Sequence, residues 1–320
     1  MKTTSIAVLA YIILAPCAIG MCASAQVSER SDPVGPFLGR WDLTLKAPES
    51  DYPSWIEISK KDEGVTALFT GRWGNARLLP QVTVRGNVLT FVSPKEEEGS
   101  NADLTFQGIL DGEHLSGTLN GPDGKTWSWT GVRAPGLERS GAPEWDKPVS
   151  LFDGKTLSGW HESKAGSPDW AVKDGSLVTP GNGPELISDS KYRDFKLHIE
   201  FNCGKDSNSG VYLRGRYEVQ IETDSIAEPS SHHTGGVYGF LAPTPELPRS
   251  SDVWQTFDIT LIGRKVTVVQ NGQNIIANQE IPGLTGGALD SHEDQPGPIY
   301  LQGSEKGHVL FRNITIASAK

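Results

Sequence analysis

Asn208–Glu222, NSGVYLRGRYEVQIE, decides the fold class of this chain. It reads as two extended runs around a turn: Val, Tyr and Ile favour pleated backbone, and Gly215 accepts the positive φ of a tight reversal. Successive side chains of a strand point to opposite faces. Tyr212 and Arg214 then share one face, Glu218, Gln220 and Glu222 share another beyond the turn, and Val219 and Ile221 point away. The expectation is a sheet with an apolar back and a polar front. A merely solvated face more often carries Lys, Thr and Ser, whereas Arg, Tyr, Glu and Gln together grip a polyhydroxylated ligand.

The same alternation runs outward from this stretch. Within Phe195–Phe201 the apolar members are Phe195, Leu197, Ile199 and Phe201, so His198, Glu200 and Asn202 take the other face, and Glu200 is expected to join the polar front. Further runs at 170–172, 176–178, 256–262, 265–270, 299–302 and 309–316, the Asn271-Gly272 turn among them, bring the region to roughly a dozen antiparallel strands. One packed and one polar face suggest two stacked sheets, a jelly-roll sandwich with a groove. Upstream, residues 35–134 hold eight short alternating runs with turns at Arg85-Gly86-Asn87 and Asp111-Gly112-Glu113, the pattern of a smaller antiparallel β barrel or sandwich. Its tryptophans, Trp41, Trp55, Trp73, Trp127 and Trp129, read as core plugs, and it shows no catalytic constellation. Residues 135–148, rich in Pro, Gly and polar residues, read as a linker, and residues 149–318 as the second domain.

Composition agrees with an all-β chain: 36 Gly and 21 Pro in 320 residues favour turns over long helices. A formal net charge of -10 and the lack of a Lys/Arg cluster exclude a phosphate-backbone partner, so no nucleic acid is expected. Residues 1–25 read as a cleaved signal peptide: Lys2, the apolar run Ile6–Ile19, and Ala23-Ser24-Ala25 before Gln26. The apolar run is shorter than the roughly 20 residues of a spanning helix. No membrane span is expected, and the destination is secreted or periplasmic. Lipidation at Cys17 or Cys22 is disfavoured by Pro16 and Met21, which stand where a small residue is wanted. After cleavage only Cys203 remains, which excludes an intramolecular disulfide.

Six ordered blocks carry a family resemblance: Leu151-Phe152-Asp153-Gly154-Lys155 with Trp160, Trp170–Gly175, Asn208–Val211 with Arg214, Glu218–Ile221, Thr234–Gly239, and Pro296–Gln302 leading to Phe311–Ile314. In these, residues 149–318 resemble the 3-keto-disaccharide hydrolase domain family. The resemblance implies a concanavalin A-like fold, export, and cleavage of 3-keto-glycosides or 3-keto-disaccharides. The chain departs from the family pattern at Asn202, where Arg is usual, and after Leu301-Gln302, where Gly303-Ser304 stands near the usual His.

A ketone at C3 acidifies the C2 hydrogen, so a base can remove it and the aglycone can leave C1 by elimination, with water adding afterwards. Such a route needs a base, a cation for the enolate and a proton donor. Glu218 or Glu200 serves as base, Arg214 or a divalent metal such as calcium, held by carboxylate and imidazole, as the enolate partner, and His233 or Tyr238 as donor. Asn208, Tyr212, Gln220, Tyr238 and Gln302 are the expected substrate-binding residues. No organic cofactor is implied. Ordinary glycoside hydrolysis is disfavoured by spacing: Glu218 and Glu222 lie about 13 Å apart on a regular strand, whereas paired carboxylates need about 5 to 9.5 Å.

Each of these residues has a plainer role open to it. Arg214 can pair with Glu218 across the sheet, His232-His233 can be an exposed loop pair, and Tyr212 and Tyr238 can be packing. A non-catalytic, lectin-like carbohydrate-binding protein is the alternative from another class.

Overall fold

The alternating runs fold as strands because each can bury one apolar face. The computed structural model describes residues 1, 32–62, 64–95, 100–164, 170–179, 183–223, 229–303 and 307–320. The expected signal peptide, except Met1, lies outside the described residues, as do Ser304 and most of the charge run at 95–99. Regular elements among the described residues are strands and two short 3-10 turns, Gly35–Phe37 and Ser230–His232. The chain is all-β. No helix among these residues is long and apolar enough to cross a membrane.

Nine strands build the first sheet: β1 (Gly39–Lys46), β2 (Asp51–Lys61), β3 (Gly64–Thr70), β4 (Arg77–Leu78), β5 (Val82–Arg85), β6 (Val88–Ser93), β7 (Leu104–Asp111), β8 (His114–Asn120) and β9 (Thr126–Arg133). Their order is β4-β3-β2-β1-β9-β8-β7-β6-β5. β3 and β5 lie against each other without pairing, so the sheet curls around its own core. Trp41, Phe69, Phe91, Phe106 and Trp129 fill that core, with Phe91 and Phe106 stacked at 4.5 Å between centroids.

Thirteen further strands are β10 (Val149–Ser150), β11 (Trp160–Glu162), β12 (Ala171–Lys173), β13 (Ser176–Thr179), β14 (Leu186–Tyr192), β15 (Phe195–Cys203), β16 (Asn208–Leu213), β17 (Tyr217–Glu222), β18 (Gln255–Ile262), β19 (Lys265–Gln270), β20 (Gln273–Glu280), β21 (Gly297–Leu301) and β22 (Val309–Ser318). They form two antiparallel sheets, β12-β13-β22-β15-β18-β19-β20 with β10 on β22, and β11-β14-β21-β16-β17. Phe195, Leu197, Ile199 and Phe201 of the first sheet meet Val211, Val219 and Ile221 of the second in one core. This is the stacked jelly-roll sandwich. Cys203 is free and buried within it.

Residues 134–148 are not loose. Pro135 O accepts from Arg264 Nη2 at 2.7 Å, Arg139 Nη1 pairs with Asp194 Oδ2 at 3.3 Å, and Trp145 bridges to Ala319. Residues 33–320 form one compact unit. β1 shows how the curled sheet and the sandwich join. Trp41, Leu43 and Leu45 face the barrel core, so Asp42 and Thr44 face outward, where Thr44 Oγ1 meets Ser291 Oγ at 2.5 Å.

Among the described residues neither Asp42 oxygen has a donor, and the group sits beside Glu293, which is fully buried. Burial and the Glu293 charge push the Asp42 pKa up to about 9, so the group is held protonated. Burial opposes ionisation of Glu293 too, but two contacts to Arg264 at 2.8 and 3.1 Å and the Tyr217 hydroxyl hold it below its ordinary value. A folded pKa above the unfolded one stabilises fully below the ordinary carboxylate range and loses that contribution as pH rises. Unfolding free energy is therefore expected to fall between about pH 6 and 9, with Asp42→Asn flattening the fall, measured by denaturant titration at both pH values. Glu293 acts in the opposite sense, and its contribution is lost toward acid.

Candidate functional site

The register of β16 on β17 places Gly210 opposite Gln220 and Tyr212 opposite Glu218, and β21 sets Tyr300 beside Tyr212. Tyr217, Val219 and Ile221 enter the inter-sheet core, so Glu218, Gln220 and Glu222 face the other way. β17 is the edge of its sheet, and the segment 234–238 covers it. Gly235 N donates to Gln220 O at 2.8 Å, Gln220 N to Gly236 O at 2.9 Å and Tyr238 N to Glu218 O at 3.1 Å. That cover leaves a hollow of about 130 Å³, open to solvent and lined by Trp73, Asn208, Tyr212, Glu218, Gln220, Tyr238, Gly286, Gly287 and Gln302.

Glu218 is the only carboxylate among the described residues lining this hollow, and it is 4% exposed. Its side chain lies over Gly210, where an added Cβ would stand 2.2 Å from Oε1. The glycine of the Asn-Ser-Gly block thus makes room for the carboxylate. The Tyr212 hydroxyl lies 2.9 Å from both Glu218 Oε2 and Gly286 O, and its single proton can serve either. Burial, then the Glu218 charge, raise the Tyr212 pKa well above its ordinary value, so it remains a donor. Tyr300 stacks on its ring at 4.2 Å. Turned so that its nitrogen faces the carboxylate, the Gln220 amide donates to Glu218 Oε1 at 3.2 Å and to Ser209 O at 2.8 Å, and its oxygen, 3.3 Å from Asn208 Oδ1, accepts from Asn208 once that amide is turned as well. The reverse orientation keeps a bond from Gln220 Nε2 to Asn208 Oδ1 at 3.3 Å but sets the Gln220 oxygen against Glu218 Oε1. Gln302 Oε1 is buried and has no partner among the described residues, an acceptor open to a ligand donor.

Of the residues expected from sequence, Glu218, Asn208, Tyr212, Gln220, Tyr238 and Gln302 therefore meet in one place. Arg214, Glu200 and His233 do not, and the expected convergence of acidic and guanidinium groups is corrected. Strand alternation ends at Leu213. Arg214 follows with φ +54, and the left-handed backbone carries its side chain out of the pattern. Its guanidinium is buried at the junction, donating to Tyr217 Oη at 3.0 Å and Gly263 O at 2.7 Å.

Glu200 does face opposite to the core residues of β15, but β15 belongs to the other sheet. Its outer face is the far side of the sandwich. There Glu200 accepts from Arg312 Nε and Asn313 Nδ2, each at 2.7 Å, and Asn202 follows on the same strand. His233 Nδ1 meets Glu246 Oε2 at 2.9 Å. Its neighbour His232 is the one that touches the site wall, stacking on Tyr238 at 4.3 Å and meeting Asn75 Nδ2 at 2.8 Å.

A divalent ion needs several converging oxygen or imidazole ligands. Among the described residues no three His, Cys, Asp or Glu side chains cluster so as to hold one.

Trp73 escaped the sequence reading. It was grouped with the barrel plugs, yet it is 60% exposed and lines the hollow. Its setting, Gly71-Arg72-Trp73-Gly74, is a turn between strands rather than part of an alternating run, and that was the available signal. Gly286 and Gly287 come from a loop with no chemical signature, and only the packing brings them here.

Among solved structures, a candidate glycosyl hydrolase of Parabacteroides distasonis ATCC 8503 superposes with a TM-score of 0.45 at 30% identity, covering 53% of this chain and 82% of that one. The Bacillus licheniformis β-glucanase gives 0.33 at 12% identity, covering 57% and 100%. A 3-keto-disaccharide hydrolase of Bacteroides thetaiotaomicron is 21% identical over 168 residues, 41% of this chain and 58% of that protein's length. The 3-keto-alpha-glucoside-1,2-lyase-like domain family is matched by residues 147–317, more than half of the sequence, and the chain belongs to that family.

Proposed function

We propose that the chain cleaves 3-keto-glycosides or 3-keto-disaccharides by elimination followed by hydration, as an exported enzyme. The observation that carries the reading is the single carboxylate of the hollow, held between a tyrosine hydroxyl and an amide. A lone carboxylate lacks the partner that double-displacement or inverting hydrolysis requires. It is enough for abstraction of an acidified hydrogen.

In this reading Glu218 takes the proton from C2, and the C–H electron pair forms the C2=C3 enolate. The enolate collapses to restore the C3 ketone and form C1=C2, and the C1–O bond breaks with its electrons on the aglycone oxygen. That oxygen takes up a proton, from Tyr238 or from the newly protonated Glu218, and leaves as an alcohol. Water then adds across C1=C2 to give the free 3-keto sugar. Tyr212, kept protonated by its surroundings, orients the base and donates toward developing negative charge. Asn208, Gln220 and Gln302 supply donors and acceptors for ring hydroxyls. The family description, a 1,2-lyase-like domain, supports the same bond. Export rests on the apolar run Ile6–Ile19 and the Ala23-Ser24-Ala25 pattern.

The test compares a 3-keto-glucoside with its unoxidised parent in deuterated water. Release of aglycone from the keto form alone, with deuterium appearing at C2, is the expected result. Equal cleavage of both sugars would refute elimination, and binding without cleavage of either would make the protein a lectin.

A further inference from the structure

We infer that Trp73, carried by the curled N-terminal sheet, is the platform for the leaving group, so the substrate is a glycoside whose aglycone carries a second ring. The inference rests on the proposed reading of the Glu218 site and extends it to the part of the substrate beyond the scissile bond.

The order of groups along the strands carries the argument. Asn208, Gln220 and Gln302 form a hydrogen-bonding row around Gly210, since Gln302 N donates to Gly210 O at 2.9 Å and Gly210 faces Gln220. One rung further come Glu218 and Tyr212. Beyond them lies Gly286, whose carbonyl accepts from Tyr212, and against Gly286 lies the backbone of Trp73 and Gly74. The carboxylate thus stands between a row of amides and the loop that carries Trp73, itself part of the lining. A hydroxylated, oxidised ring matches the amides. The ring on the other side of C1 then meets the indole, whose apolar face suits the C–H faces of a sugar or an aromatic aglycone.

Trp73 is held in place. Gly287 N donates to Arg72 O at 2.9 Å, and Asn75 Nδ2 meets His232 Nε2 at 2.8 Å on the sandwich side. The loop is seated so closely that a Cβ on Gly286 would lie 2.5 Å from Gly74 O, and one on Gly239 would lie 2.7 Å from Asn75 Cβ. The Arg72 guanidinium braces the indole at 4.9 Å and the Tyr52 ring at 4.8 Å. An indole 60% exposed on so fixed a loop is presented to the hollow before any ligand arrives.

Two ligands separate this proposal from the reading beneath it: a 3-keto-disaccharide and the methyl 3-keto-glycoside, which has no second ring. Affinities are measured calorimetrically on Glu218→Gln with and without Trp73→Ala, so that no turnover is needed. Trp73→Ala is expected to weaken the disaccharide about tenfold, the equivalent of one ring–ring contact, to leave the methyl glycoside within about twofold, and Trp73→Phe to recover much of the loss. In the active protein the same change should raise KM for the disaccharide and spare kcat. An equal loss for both ligands places Trp73 under the keto ring, and no loss for either removes it from the site. Both results overturn the inference. Absence of turnover by the wild-type protein would overturn elimination and leave the binding comparison to decide on Trp73. Since the side chain is exposed, Tm should stay within about 2 °C of wild type.

Discussion

Replacing Glu218 with Gln is expected to slow aglycone release from a 3-keto-glycoside by about 10²–10⁴-fold, the usual weight of a positioned base. The amide nearly copies the carboxylate in shape and can still accept from Tyr212 at the Oε2 position. Ligand affinity should therefore change far less than turnover. Deuterium exchange at C2 is the discriminating measurement. Loss of exchange together with turnover places the defect at proton abstraction, whereas exchange that survives while product release fails would move Glu218 to the leaving-group side. Unchanged turnover would remove it from the chemistry altogether. Gly210 bears on how the result is read, because the carboxylate occupies space that any Cβ there would fill. Tyr212 and Gln220 remain in place in the variant, so a folded, ligand-binding and inert protein is the expected product.

Trp55→Ala is expected to cost about 3–5 kcal/mol of stability, the range for deleting a large buried aromatic. Trp55 belongs to β2 of the curled sheet, yet it is fully buried in the core of the sandwich. Alternation explains this. Tyr52, Ile56 and Ile58 face the barrel interior, so Trp55 faces out, where it meets Phe240 edge-on at 5.5 Å and crowds Gly283. It works as a plug between the two parts of the chain. Thermal unfolding followed by calorimetry and near-ultraviolet circular dichroism should show a lowered transition in Trp55→Ala. With the plug gone, the curled sheet and the sandwich should begin to melt separately. Trp55→Phe should recover part of the loss, since the indole nitrogen has no hydrogen-bond partner among the described residues. A transition within about 1 kcal/mol of wild type would show that the junction does not depend on this side chain.

The two variants probe opposite sides of what was legible in the chain. Period-two alternation located most strands of both parts but not β14 or β20, and the glycine turns after Arg85, Asp111 and Arg214 were placed by the same reading. Six residues named from the sequence line one hollow, Tyr212, Glu218 and Gln220 from the alternating strands and Asn208, Tyr238 and Gln302 from the family blocks. Glu200 shows where the method stops. Its face relative to its own strand was right, but alternation does not say which of two sheets a strand joins, and so it cannot tell the front of the sandwich from its far side. Arg214 fails for a more local reason: one residue past the last rung, a left-handed φ cancels the alternation. His232 and His233 differ only in how a short 3-10 turn ends, and the sequence offers no signal that separates them.

By itself the sequence determined that this is an all-β chain, that a hydrogen-bonding row and a carboxylate share one strand face, and to which family residues 147–317 belong. The first two follow from short-range rules, the two-residue repeat of a pleated strand and the backbone freedom of glycine at its turns, and the third from six ordered motif blocks. Tertiary structure alone decided that Arg214 serves the junction, that Glu200 lies on the outer face of the opposite sheet, and that Trp73 reaches the hollow from the curled sheet. Such placements depend on how separately folded sheets dock, through close approaches such as Gly286 on Trp73 and Gly283 on Trp55. Contacts between residues more than a hundred positions apart have no period to reveal them.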